Sequence, residues 1–274
     1  MFDITSALNF VDRHGDFLNK EAIKKIRNKP FDMFGVAFYL LYDQNDDGGF
    51  PIFRIQNAPS SIFETCSRLS VLIDFELTKG LAVKNAVNFL LRKQKEEGFW
   101  EEPENLPEEV PDWLRPGKIE TRIFETVNVL DVLLSLNSIP QEKLKLGLAF
   151  LRKNLQDNNL LKGFVHSSFI LVSILCKIND DENALKVFYS LTNKLLELDI
   201  DTLIWAINCF IKCQFLREST IIKQWIEKIS SMQQNDGGLP GENMKQRANL
   251  TMDFLFLLKN WGNLKFYRKK IIMD

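Results

Sequence analysis

Gln94-Lys95-Glu96-Glu97-Gly98-Phe99-Trp100 is the stretch that decides the fold, because the chain repeats it. Two further segments read almost alike, Gln44-Asn45-Asp46-Asp47-Gly48-Gly49-Phe50 and Gln233-Gln234-Asn235-Asp236-Gly237-Gly238-Leu239. A weaker copy runs from Gln156-Asp157-Asn158-Asn159-Leu160 to Gly163-Phe164. The first two loops in chain order are each followed by one tetrad, Ile62-Phe63-Glu64-Thr65 and Ile123-Phe124-Glu125-Thr126. Self-similarity at such a period marks stacked supersecondary units.

Each unit has the same physical logic. A helix ends at the glutamine, where glycine takes the left-handed conformation that closes a helix C-terminus. A polar loop follows, and a second, apolar helix opens near the threonine. Ile62, Phe63, Cys66, Leu69, Leu72 and Ile73 follow helical spacing, as do Ile123, Phe124, Val127, Leu130, Leu133 and Leu134. First helices are predicted over residues 32–43, 81–94, 141–156, 183–196 and 220–233, and second helices over 61–77, 120–136, 165–177, 202–214 and 247–259. The second set lacks a wide polar face, which predicts burial on several sides and an inner position. Segments 5–13 and 19–28 read as two more helices. No stretch shows the sustained alternation of a strand. One all-α domain over residues 1–274 is expected, with 1–30 completing or flanking the ring, five hairpins over 32–259, and a tail over 260–274. The longest loop, 98–118, carries Pro103, Pro107, Pro111 and Pro116 among acids, a length that goes with function or with disorder.

A formal charge of −1 excludes the basic excess of a nucleic-acid binder. Cys66, Cys176, Cys209 and Cys213 lie in apolar runs without paired spacing, which predicts reduced thiols and a cytoplasmic protein. The start, Met1-Phe2-Asp3-Ile4, lacks a signal-peptide layout, and no apolar run is long enough to span a bilayer. The basic cluster Phe266-Tyr267-Arg268-Lys269-Lys270 suits a solvated helix end or a peripheral contact with an anionic membrane. Phenylalanine is the compositional outlier, with 22 residues against 4 tyrosines, so either the core is aromatic or some rings line a cavity.

A glutamine closing a helix, then glycine and an aromatic, then an inner helix opening near threonine resembles the QW repeat of squalene cyclases and the repeats of protein prenyltransferase β subunits. Lys93 to Trp100 is the best single match, and the likeness spans about residues 32–259. The resemblance implies an (α/α) toroid whose inner helices surround an apolar cavity. It further implies an isoprenoid-type ligand, no cofactor for a cyclase, and an enzyme of the isomerase kind. Since one fold hosts many functions, a non-catalytic toroidal binding or scaffold protein is the alternative.

The cyclases of this superfamily place an Asp-x-Asp-Asp-Thr acid at the start of an inner helix. Here Leu198-Asp199-Ile200-Asp201-Thr202 offers two registers. In one, Asp201 is the proton donor and Asp199 tunes it, as burial and a neighbouring carboxylate keep one acid neutral. In the other, Ile200 falls at the donor position and the site is dead. Either acid also suits an N-cap, accepting backbone N–H bonds. The transferases instead hold zinc with an Asp-x-Cys pair and a distant histidine. No Asp-x-Cys occurs and the histidines are only His14 and His166, so no metal site is assigned. His166 opens an inner helix, where it faces a ligand or serves as a cap.

Phe63, Phe99, Trp100, Phe124, Phe169 and Trp205, with Trp113, are the candidate substrate-binding wall, since aromatic faces attract carbocations. Core packing accounts for the same rings. Glu64 and Glu125 recur at one repeat position, either as framework acids favoured by the helix dipole or as acids around a cavity mouth. The inner-helix N-termini suit a diphosphate, which the loop acids Asp46, Asp47, Glu96, Glu97 and Asp236 oppose.

Overall fold

A computed structural model describes residues 2–195 and 197–262. The described residues form twelve α-helices: α1 (Ile4–His14), α2 (Phe17–Ile26), α3 (Met33–Leu41), α4 (Ile62–Asp74), α5 (Leu81–Lys93), α6 (Ile119–Ser135), α7 (Gln141–Lys153), α8 (Val165–Lys177), α9 (Asp181–Leu195), α10 (Ile200–Phe210), α11 (Thr220–Ser231) and α12 (Met244–Trp261). Every predicted helix is present, most within three residues of its expected ends. The principal departure from all-helix is a two-residue antiparallel pair, β1 (Phe50–Pro51) with β2 (Ser60–Ser61). The basic cluster at 266–270 lies outside the described residues.

The repeated loop is a hydrogen-bonded clamp. Gln94 Nε2 donates to the Gly98 carbonyl at 3.1 Å and to the Lys143 carbonyl at 2.9 Å, so the end of α5 holds the start of α7. Gln44 makes the same pair of bonds to Gly48 and Ala82, and Gln233 to Gly237 and Asp3. Gly98 has φ +94°, and a Cβ there would run into the Leu146 carbonyl oxygen of α7. The glycine is therefore required twice, by conformation and by contact.

Past the glycine, the chain is tied to the inner helix by a hydroxyl. The N–H groups of Phe50, Trp100 and Leu239 donate to Oγ1 of Thr65, Thr126 and Thr251. The Leu161 N–H donates to Ser168 Oγ, and this weaker copy closes with Asn159 at φ +61°. Each threonine in turn donates to the carbonyl four residues back, at 2.6 Å. These bonds align the repeats in space, and they put Glu64, Glu125 and Ser167 at one equivalent position, the residue before the clamping hydroxyl.

The residues gather into two compact units. In residues 33–193, α6 packs on α4, α7 and α8. Positions Ser167 through Leu175 of α8 are all buried, which leaves that helix no solvent face, as its apolar sequence predicts. Lys177 Nζ and Ser173 Oγ both reach Asp131 at 2.6 Å and tie α8 to α6. The 98–118 loop packs: Leu106, Val110 and Leu114 form a small core with Ile52 and Ala58, closed by Phe63. In the other unit, residues 1–32 with those from 194 onward, α12 packs on α1, α2 and α10. There Asp3, which caps α1, takes the seat on the Gln233 clamp that a following hairpin takes elsewhere.

The cysteines correct one expectation. Cys66 is a free, buried thiol and Cys209 is buried, whereas Cys176 and Cys213 are disulfide-bonded. A disulfide depends on which chain positions meet in the fold, and spacing along the sequence does not record that.

Candidate active site

The N-terminal turns of α4 and α6, with the 98–118 loop, bring together acids and rings. Trp100 positions them. Its backbone N–H is held by Thr126 and its indole Nε1 donates to the Leu90 carbonyl at 2.7 Å, both in the core. Two residues on, the chain delivers Glu102 to the start of α4. Glu102 Oε1 accepts from the Ser61 hydroxyl at 2.8 Å and from the Phe63 N–H at 2.7 Å, and Oε2 accepts from the Ile62 N–H at 3.1 Å. These N–H groups are among those a helix start leaves without partners, and the helix dipole there favours a carboxylate. Burial outweighs both and raises the Glu102 carboxyl to about 7.

Glu125 lies one helix away and is fully buried, and neither carboxyl oxygen has a hydrogen-bond partner. Burial first, and then the nearby charge of Glu102, push it well above the usual carboxylate range. The repeat makes plain what is missing. At the equivalent position Glu64 Oε1 receives Arg68 Nε at 2.8 Å and Oε2 receives the Phe53 N–H at 3.3 Å. Arg68 is four residues on from Glu64, and four residues on from Glu125 stands Val129, wholly buried. Ser167, the third residue at this position, is also buried with its Oγ unpartnered. Native proteins satisfy nearly all such groups, so these two exceptions at one repeat position need a cause. The buried thiol of Cys66 is raised by its burial and by Glu125, Glu102 and Asp131 in turn.

Five rings join at the same turns. Phe63 lies 5.6 Å from Trp113 and 6.4 Å from both Phe53 and Phe124, and Trp113 and Phe124 both contact Phe164. Phe124 is buried, while Phe53 and Trp113 are 44% and 39% exposed, so the cluster runs from the core to the surface. Of the predicted wall, the structure unites Phe63, Trp113 and Phe124. Phe99 instead packs on Phe150 at 5.3 Å and beneath the Arg122 guanidinium at 4.7 Å. Trp100 is a core anchor, as described. His166 and Phe169 pair edge to face at 5.6 Å on α8. Trp205 is on α10 in the other unit and 37% exposed.

The two aspartates stand at the start of α10. Asp199 is its N-cap, accepting the Thr202 N–H at 2.8 Å. Asp201 follows in the first turn, and both residues are exposed. Sequence reasoning missed Glu102, Phe53 and Phe164. Only the acid-rich loop around Glu102 carried a signal, as a loop too long to lack a purpose. Among the described residues, no three His, Cys, Asp or Glu side chains gather to hold a metal.

An all-α repeat chain clamped in this way has the fold of the type II terpene cyclases. Over 95% of its length it matches 97% of a variant of type II terpene cyclase MstE from Scytonema in complex with its substrate, geranylgeranyl dihydroxybenzoate, with a TM-score of 0.62 at 10% identity. A second MstE variant, in complex with the product merosterolic acid A, matches 94% of this chain and 95% of its own at 0.63 and 10%. A protein from Actinoplanes matches 93% of this chain and 88% of its own at 0.61 and 12%. No family model matches the chain, and no curated protein matches it in sequence. The all-α class predicted from the loops is thus the class of these neighbours. At such identities the likeness carries the fold alone.

Proposed function

We propose that the chain is an isoprenoid-handling enzyme resembling the class II terpene cyclases, one that starts cyclisation of a polyprenyl-type substrate by protonation. The observation that carries this is the five-ring cluster standing over the N-terminal turns of α4 and α6, beside buried carboxyls. An apolar chain finds dispersion contacts on such rings, and a carbocation finds their negative faces. Support also comes from a structural neighbour that holds a geranylgeranyl substrate. Asp201 with Asp199 beside it is the donor proposed from sequence, yet an acid that protonates an alkene works out of water, and both are exposed.

The test is incubation of the purified chain with geranylgeranyl dihydroxybenzoate, with mass spectrometry and NMR of the products. A cyclised isomer is expected, at a rate unchanged by Asp201→Asn. Loss of turnover in that variant would return the acid to Asp201. Binding without product would favour a toroidal binding protein.

A peripheral membrane contact is proposed with it. Helix α3 bears no charge, and Phe34 and Phe38 on one face are 86% and 71% exposed. Such a face suits insertion among lipid headgroups, where a hydrophobic substrate is to be found. Among the described residues no helix is long and apolar enough to cross a membrane.

A further inference from the structure

Glu125 and Ser167 are the two residues of the repeat framework that the framework does not use. Three of the equivalent positions are polar, and of these only Glu64 is bonded within the protein. A carboxyl with both oxygens bare at the centre of a helical unit lowers stability, since each unpaired polar atom keeps its desolvation cost. Glu102 differs from it in kind. Three donors hold Glu102 in a form suited to negative charge, and it lines a recess of about 280 Å³ together with Ser60, Lys93, Glu101 and Pro116. One carboxyl is therefore buried and unsupported, and the other is supported and borders an opening.

We infer that Glu125 is the proton donor to a bound isoprenoid and that Glu102 reloads it from the recess. This rests on the isoprenoid reading above and adds to it a donor that the sequence motif does not contain. In the step, the Glu125 O–H bond breaks and a C–H bond forms from the alkene π electrons, leaving a carboxylate and a tertiary carbocation. The aromatic rings carried on the same turns face that cation. Loss of a proton to water from a carbon next to the final cation regenerates an alkene and balances the proton that Glu102 takes up, so substrate and product are isomers. Glu125 recovers its proton through Glu102, which takes one from water in the recess. Two carboxyls whose surroundings separate their acidities divide the roles of donor and relay between them.

The experiment uses the full chain, with geranylgeranyl dihydroxybenzoate as probe and three readouts: tryptophan fluorescence for binding, product formation, and infrared difference spectra of chain labelled with carboxyl-¹³C glutamate. In chain carrying Glu102→Gln, so that Glu102 adds no band of its own, the neutral-acid carbonyl band should be present at neutral pH, shift when the probe binds, and vanish when Glu125→Gln is added. It should persist in Asp201→Asn. Turnover in Glu125→Gln should fall about a hundredfold or more at unchanged affinity, the usual yield of a positioned acid. Glu125→Met serves the same purpose if the amide disturbs folding, because it needs no hydrogen-bond partner. Glu102→Gln should keep the band and slow turnover, with a single-turnover burst left intact. Wild-type turnover persisting in Glu125→Gln and Glu125→Met, or probe binding without any shift of the band, would overturn the assignment while leaving the isoprenoid reading standing. Failure of the wild-type chain to bind the probe would remove both.

Discussion

Replacing Glu125 by methionine should make the protein more stable, and increasingly so as the pH rises. The side chains are similar in length, and the carboxyl that is lost has no bond to lose. The sign follows from the proton. Glu125 keeps its proton in the folded chain well above its ordinary value of 4.5, whereas the unfolded chain releases it near that value. An acid raised in this way favours folding below its unfolded value, and that contribution is lost as the pH climbs. Each pH unit above 4.5 then costs the wild type about 1.4 kcal/mol. The stability difference between variant and wild type should therefore widen from pH 5 towards pH 7, on top of a constant gain of about 1–3 kcal/mol from removing the unpaired group. Urea denaturation at several pH values, followed by far-ultraviolet circular dichroism, measures both. The midpoint should rise in the variant with an unchanged denaturant slope. Parallel stability curves, with an offset that ignores pH, would show that Glu125 is not held neutral in the fold and would refute the reasoning.

The partnered repeat should behave in the opposite sense. Arg68→Met removes a buried guanidinium that pairs with Glu64 and Asp43 and donates to the Leu40 carbonyl, and should cost about 3–5 kcal/mol at pH 7 in the same urea assay. Burial raises the Asp43 carboxyl, but the Arg68 bond and charge more than offset it and leave it below 3.8, so the penalty should shrink as the pH falls towards that value. Gly98→Ala should lower the melting temperature by several degrees more than Gly117→Ala. Both glycines have positive φ, at +94° and +98°, but only at Gly98 does an added Cβ meet a neighbour, the Leu146 carbonyl.

What the sequence could reveal was set by whether a contact repeats. The clamp recurs, so Gln94, Gly98 and Thr126 announce themselves beside Gln44, Gly48 and Thr65, and the helices between them follow from apolar spacing. The pairing of Phe63 with Phe124 was legible for the same reason, since both occupy one slot of the tetrad. Phe99 and Trp100 look like a cavity wall because they are aromatic, yet they stand where the clamp turns into the core, and there their rings seal the hairpin. Asp199-Ile200-Asp201 looks like an acid motif because a helix N-cap and a catalytic acid demand the same residues at a helix start. Glu102 was illegible: its partners lie 39 to 41 residues away, and Ile62 and Phe63 bind it through backbone N–H groups that carry no sequence signal.

The proposed chemistry falls on the unlike members of the repeat. A repeat stabilises by sameness, each loop closing one hairpin onto the next with the same few bonds, so a position can drift only where that scaffold does not need it. The slot before the clamping hydroxyl is such a position. In the first copy it is filled by a closed ion pair, Glu64 with Arg68, which fixes a helix and exposes nothing reactive. In the second the cation has become Val129 while the acid has stayed, and in the third the acid has become a bare serine. Losing the arginine alone is the costly half of such a change, because it strands a buried acid. Removing the acid as well would have restored that stability, as the methionine variant should demonstrate. The proposed use of its proton accounts for keeping it.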